Sequence, residues 1–201
     1  MTHSIGIYIF DDVEALDFCG PFEVFSTACR VKARLHPDNS NPFEVFTIAD
    51  TVRTVKARGG LKVQPHFDIT NNPTVDVLII PGGVISSELK RDNVIGWISK
   101  TAATSTITAS VCTGAFLLGK AGLLRKKTVT THWADIDELR AKFPETTVQE
   151  NIRWIDTGSI ITSGGISAGM DMSLHLVSRL EGEDLAVRTA RQMEYNWQRL
   201  S

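Results

Sequence analysis

Three short stretches carry the residues best suited to chemistry. The first is Ser110-Val111-Cys112-Thr113-Gly114-Ala115. Small and β-branched residues from Ser105 to Val111 read as a buried strand, and Gly114 to Leu118 reads as an apolar helix. Cys112 therefore falls where a strand turns sharply into a helix, a place that points the helix's first free N–H groups at the side chain. The positive helix end favours a thiolate, so the thiol pKa is expected to fall. A cysteine after a buried strand is equally well a small core residue, and the local sequence leaves both readings open.

The second stretch is Ala15-Leu16-Asp17-Phe18-Cys19-Gly20-Pro21. An acid in so apolar a setting has a raised pKa and can pass protons. By position alone, Asp17 reads more readily as the N-terminal cap of a helix opened by Gly20-Pro21. Cys19 reads as packing, with a place in the wall of the same pocket as an alternative. The third stretch is Gly82-Gly83, after the strand Val75–Ile80. Glycines there allow a tight turn and let backbone N–H groups approach a reacting atom. One N–H from Gly83 and one from Thr113 would form an oxyanion hole beside the sulfur. No Gly-Lys-Ser/Thr element follows, so this is not a phosphate loop.

His132 follows the strand-like Thr128–Thr131 and can approach a thiol as its base, although beside Trp133 it reads first as a core or wall residue. His3, His36, His66 and His175 lack metal-ligand spacing, and so do the cysteines. No metal or organic cofactor is expected. Arg125-Lys126-Lys127 reads as a solvated turn, and Trp154 and Trp197 as core.

The elements that must position these groups alternate. Strands are expected at Ser4–Phe10, Phe43–Ala49, Val75–Ile80 and Ser105–Val111, with a hairpin or edge strands at Val52–Val55 and Leu61–Val63. A turn is expected at Asn39–Pro42. Helices are expected from Gly20-Pro21 onward, over Asp92–Ala103, after Cys112, over Ala134–Phe143, and twice near the C-terminus. The first of the last two carries Ile166, Met170, Leu174, Val177 and Leu180 on one face. The second carries Ala186, Ala190, Met193, Trp197 and Leu200. Short strands are expected at Thr147–Gln149, Ile152–Ile155 and Ser159–Thr162. Such alternation predicts an open, mostly parallel sheet with helices on both faces. Open α/β sheets place their sites at the carboxyl ends of strands, where all three stretches fall.

The chain has 201 residues, 42% hydrophobic and 22% charged, as expected of one globular domain that needs no staple. A net charge of -2 gives no electrostatic case for nucleic acid or an anionic membrane. Three cysteines do not suggest a disulfide framework. Cys19 and Cys29, on one helix, would stand ~15 Å apart, too far to bridge. There is no signal peptide and no long apolar run, so a cytoplasmic setting is the default.

With these residues assembled, the chain resembles the ThiJ/PfpI family of the class I glutamine amidotransferase-like superfamily. It is similar to the branch holding the isonitrile hydratases and the ligand-binding domains of AraC-type regulators. The resemblance is carried by Val13 to Phe25, Leu78 to Gly83, Ser110 to Gly119, Thr130 to Trp133, Ser163 to Asp171 and Gln192 to Tyr195. It implies a flavodoxin-like three-layer sandwich with a Cys nucleophile elbow, one domain over residues 1–201, and a homodimer. By the same resemblance Cys112 matches the nucleophile and Asp17 its acidic partner. Protease-like members place His directly after the Cys. Thr113 stands there instead, which favours the hydratase branch. The regulators append a helix-turn-helix domain, which is not expected here, and neither nucleic acid nor membrane is expected as a partner. The activity expected is hydration of isonitriles to N-substituted formamides. Glyoxalase- or deglycase-like action, amidase- or peptidase-like thiol chemistry, and non-catalytic ligand sensing are the alternatives.

Overall fold

The computed structural model describes residues 2–37 and 41–199. The expected turn at Asn39–Pro42 lies partly outside them, and Leu200 lies wholly outside. The strand β1 (His3–Tyr8) leads into the helix α1 (Ala15–Leu35), and β2 (Phe43–Ala49) follows. Val55–Lys56 (β3) and Lys62–Val63 (β4) pair antiparallel, giving the hairpin read from the sequence. The short strand β5 (Phe67–Asp68) has no counterpart in the sequence reading; it adds parallel to the end of β2. Then come β6 (Val77–Ile80), α2 (Asp92–Ala102), β7 (Ile107–Val111) and α3 (Gly114–Lys120). The chain continues through β8 (Thr128–Val129), α4 (Ile136–Lys142), β9 (Thr147–Val148), β10 (Trp154–Asp156), β11 (Ile160–Ser163), α5 (Ala168–Glu181) and α6 (Glu183–Gln192).

Seven strands form the central sheet in the order β10-β11-β7-β6-β1-β2-β5. Every pairing is parallel except β10 with β11. The central strands are buried along their whole length, which explains their unbroken apolar runs: Val77 to Ile80 and Ile107 to Val111 have no exposed position. Helices α1, α5 and α6 pack on one another, and α2 packs on α3. Chain order departs from β1 in both directions, to β2 on one side and β6 on the other. The crevice beyond the strand ends at such a switch point is where open α/β sheets hold ligands.

Three helix expectations are corrected. The first helix begins at Ala15, not at Gly20-Pro21, so Pro21 lies in its second turn. Proline has no N–H, so it leaves the carbonyl four residues back, that of Asp17, without its helical donor. The N-cap is Glu14, without a side-chain cap, and Asp17 is a buried residue of the first turn. It is therefore not the cap. The last helix stops at Gln192, and residues from Met193 on run as a non-helical segment over α5. Ile166 precedes α5 instead of lying on its face.

Candidate active site

The loops after β1 and β6 are zipped together. Glu14 N–H donates to the Gly82 carbonyl at 2.9 Å and Val84 N–H to the Asp12 carbonyl at 3.0 Å. Only glycine fits this seam. A Cβ on Gly83, at φ 140°, would stand 2.4 Å from the Asp12 carbonyl oxygen, and one on Gly82 would stand 2.6 Å from the Thr113 nitrogen. The third loop, after β7, thus closes directly over the first two.

Cys112 occupies the elbow with φ 56°, a left-handed conformation costly for a residue with a Cβ. The surrounding bonds hold it there. Its N–H is shared between the Ser163 and Gly164 carbonyls, at 3.2 and 3.1 Å, and its carbonyl accepts from the Thr131 hydroxyl at 2.8 Å. Gly114 makes the close approach possible, since a Cβ there would meet the Ile80 carbonyl oxygen at 2.1 Å. Sequence reading passed over both Thr131 and Gly114. The visible sign for Gly114 was glycine directly after the elbow.

Asp17 is fully buried, with a relative exposure of 0%. Its Oδ2 accepts from Gly82 N–H at 3.0 Å, while Oδ1 has no hydrogen bond of ordinary geometry. Burial pushes the Asp17 carboxyl up to about 7 against the pull of the Gly82 N–H. The Glu14 charge adds to the rise, and the Ile166 N–H and the Cys112 thiol moderate it. These last two groups face the carboxyl that has no bond on Oδ1.

The thiol moves opposite to expectation. Burial pushes Cys112 up to about 12, and the neighbouring Asp17 charge pushes the same way. The Thr113 N–H and hydroxyl favour the thiolate, and the Asp135 charge opposes it. The helix end is present, but α3 has seven residues and its field is outweighed by desolvation and a like charge. At rest the site is a thiol beside a carboxyl poised near neutrality.

The expected oxyanion pair is only half free. Gly83 N–H is already bonded to the Thr113 hydroxyl at 3.0 Å, and that hydroxyl donates to the Gly83 carbonyl at 3.1 Å. Gly82 N–H is taken by Asp17. Thr113 N–H remains directed at the sulfur. Thr113 thus fastens the glycine loop to the elbow through its side chain.

His132 makes no bond to the thiol. Its Nδ1 meets Asp135 Oδ2 at 3.2 Å and accepts from Ala134 N–H at 3.3 Å. Its ring lies on Gly165, where a Cβ would be 2.2 Å from Cδ2. Cys19 lines a cavity of about 370 Å³ with Phe18, Phe22, Val63 and His66, and Cys112 is not part of that lining. Among the described residues no group of three His, Cys, Asp or Glu side chains is placed to hold a metal ion, and no helix is long and apolar enough to cross a membrane.

Comparison with known proteins follows the same lines. The chain is 33% identical to the isonitrile hydratase of Pseudomonas putida, over 97% of this chain and 79% of that protein. It is 28% identical to the HTH-type transcriptional regulator GbdR of Pseudomonas aeruginosa over 96% of its length, and spans half of the regulator. The crystal structure of a THiJ/PfpI family protein from Pseudomonas syringae superposes with a TM-score of 0.85 at 23% identity, covering 98% of this chain and 76% of that one. The DJ-1/PfpI family model matches residues 3–179, and the chain belongs to that family.

Proposed function

We propose that this chain, as one domain over residues 1–201, hydrates isonitriles to N-substituted formamides with Cys112 as nucleophile and Asp17 as proton carrier. The observation that carries the reading is a fully buried Asp17 carboxyl, poised near neutral pH, beside a cysteine on a strained strand-to-helix elbow. The likeness to the isonitrile hydratase supports the choice of substrate class.

Asp17 carboxylate takes the thiol proton as sulfur bonds to the terminal isonitrile carbon. The electron pair released on that carbon takes the proton back from Asp17, giving a thioimidate with a C=N bond. Water then adds to the same carbon, giving one proton to Asp17 and the other to the nitrogen, which becomes N–H. The carbon–sulfur bond breaks, the formamide leaves, and the proton returns to sulfur. Thr113 N–H steadies the sulfur as charge passes through it. Gly82 and Gly83 let the three loops close around the carboxyl. Neither metal nor organic cofactor enters these steps. The reaction is assigned to a homodimer.

The test is formamide production from a simple alkyl isonitrile by wild type, Cys112→Ala and Asp17→Asn. The expected outcome is turnover in wild type and none above background in Cys112→Ala. Equal rates in all three proteins remove the assigned roles. Isonitrile-dependent stabilisation without turnover in wild type would instead favour ligand sensing, the reading to which the likeness to a regulator points.

A further inference from the structure

We propose that Arg153 and Asp171, with the C-terminal segment Tyr195–Gln198, are positioning residues that clamp the loop 164–167 against the Asp17–Cys112 pair. This rests on the site assigned above and adds to it a control of proton transfer.

The loop needs holding. Ile166 has φ 54°, and a β-branched residue in the left-handed region is a genuine outlier. What the loop supplies is specific. The Gly164 carbonyl accepts from Cys112 N–H at 3.1 Å, Gly165 floors the His132 ring, and Ile166 N–H faces the Asp17 carboxyl.

The clamp grips both ends of this loop. Arg153 accepts from Gly164 N–H through its carbonyl at 2.8 Å and donates to the Ser167 hydroxyl at 3.2 Å. Its guanidinium is fixed by Asp171, Nε to Oδ2 at 2.5 Å. Asp171 is fully buried, yet the reaction does not use it. Its second oxygen accepts from Gln198 N–H at 2.9 Å, and its carbonyl accepts from Trp197 Nε1 at 3.2 Å. The Tyr195 hydroxyl donates to the Ser167 carbonyl at 3.3 Å. A buried carboxylate is tolerated only when paired and hydrogen-bonded, so Asp171 locks the guanidinium, the tail and α5 into one arrangement. The same network gives the stretches Ser163–Asp171 and Gln192–Tyr195 a role that the three chemical loops left unexplained.

The charged groups bearing on the pair come from each neighbouring element. Glu14 stands at the start of α1 and is bonded to Arg58. Asp135, bonded to His132, faces the sulfur from beyond the elbow. On the loop side stands the Arg153–Asp171 pair. Loosening the clamp withdraws Ile166 N–H, which favours the ionised Asp17, so the carboxyl titrates at higher pH.

The test reads Cys112 directly, without an isonitrile. Alkylation of Cys112 by iodoacetamide is followed by peptide mass against pH in wild type, Tyr195→Phe, Arg153→Lys and Asp171→Asn, with near-UV circular dichroism and urea unfolding as checks of fold. In wild type the rate is expected to rise through an inflection near neutral pH as Asp17 ionises. In Asp171→Asn that inflection moves up by about 0.5–1 unit, with a roughly two- to fivefold slower reaction at neutral pH. Tyr195→Phe shifts the same way by less, and Arg153→Lys, which keeps the charge but not the fork, lies between. An inflection in wild type that stays put in folded variants overturns the clamp and leaves the Asp17–Cys112 pair standing. No inflection in wild type overturns both. If Asp171→Asn does not fold, Tyr195→Phe, which deletes one hydroxyl, decides.

Discussion

Replacing Asp17 by Asn should change how stability depends on pH. The wild-type carboxyl is fully buried and titrates at about 7, against an ordinary value of 3.8. The folded protein therefore binds the proton more tightly than the unfolded chain. Its contribution is fully present below the ordinary carboxylate range and is lost as pH rises through about 7. The shift of about 3 units corresponds to about 4 kcal/mol in total. Between about pH 5 and pH 8 the loss is about 2–3 kcal/mol, because part of the titration lies below that window. Asn cannot ionise, so the variant should lack this loss. A fixed offset also enters. The Asn amide oxygen can still accept from Gly82 N–H, but its NH2 cannot accept from the Ile166 N–H that faces the carboxyl. That offset is nearly independent of pH, so the difference in slope isolates the carboxyl. Urea unfolding of both proteins at several values across this window gives the slopes. Profiles that run parallel would show that Asp17 is not held protonated by burial, and the proton-carrying role would fall with it.

Other outcomes follow from individual contacts. Gly114→Ala should destabilise by more than about 2 kcal/mol in urea unfolding, because the added Cβ meets the Ile80 carbonyl oxygen at 2.1 Å. Gly96→Ala, on an exposed face of α2 with open space around it, should stabilise by roughly 0.5–1 kcal/mol. If the two changes behave alike, the close approach at the elbow is wrong. Thr113→Val removes both hydroxyl bonds to Gly83 and leaves a partly buried N–H unpaired, at a cost of about 1–3 kcal/mol. Thr113→Ser should recover most of that loss, as read by the shift in thermal midpoint; equal loss in both variants would show that the two hydroxyl bonds do not carry the effect.

Local sequence determined much of this architecture, because its signals are short-range. Unbroken apolar runs could only be central parallel strands. Phe43–Ala49 falls where the pattern put it, and the strand–Cys–helix succession marked the elbow. The glycines after β6 were legible as a close backbone approach, though not what approaches them. Tertiary structure decided the protonation. A helix start beside a cysteine predicts a lowered thiol pKa, but burial and the Asp17 charge come from packing α1 against the sheet, and they reverse its direction. It also decided Asp17 itself: whether this acid caps the helix or is buried in its first turn depends on where the helix starts, and Ala15 rather than Gly20 starts it. Cys19, two residues further along the same helix, turns to a cavity that Cys112 does not line because α-helical side chains rotate by about 100° per residue. Finally, the strained Ile166 loop and its clamp join residues from 153 to 198 with Asp17 and Cys112. Those partners are brought together only when the sheet has formed and α5 has docked on α1, so no local pattern in the chain could reveal them.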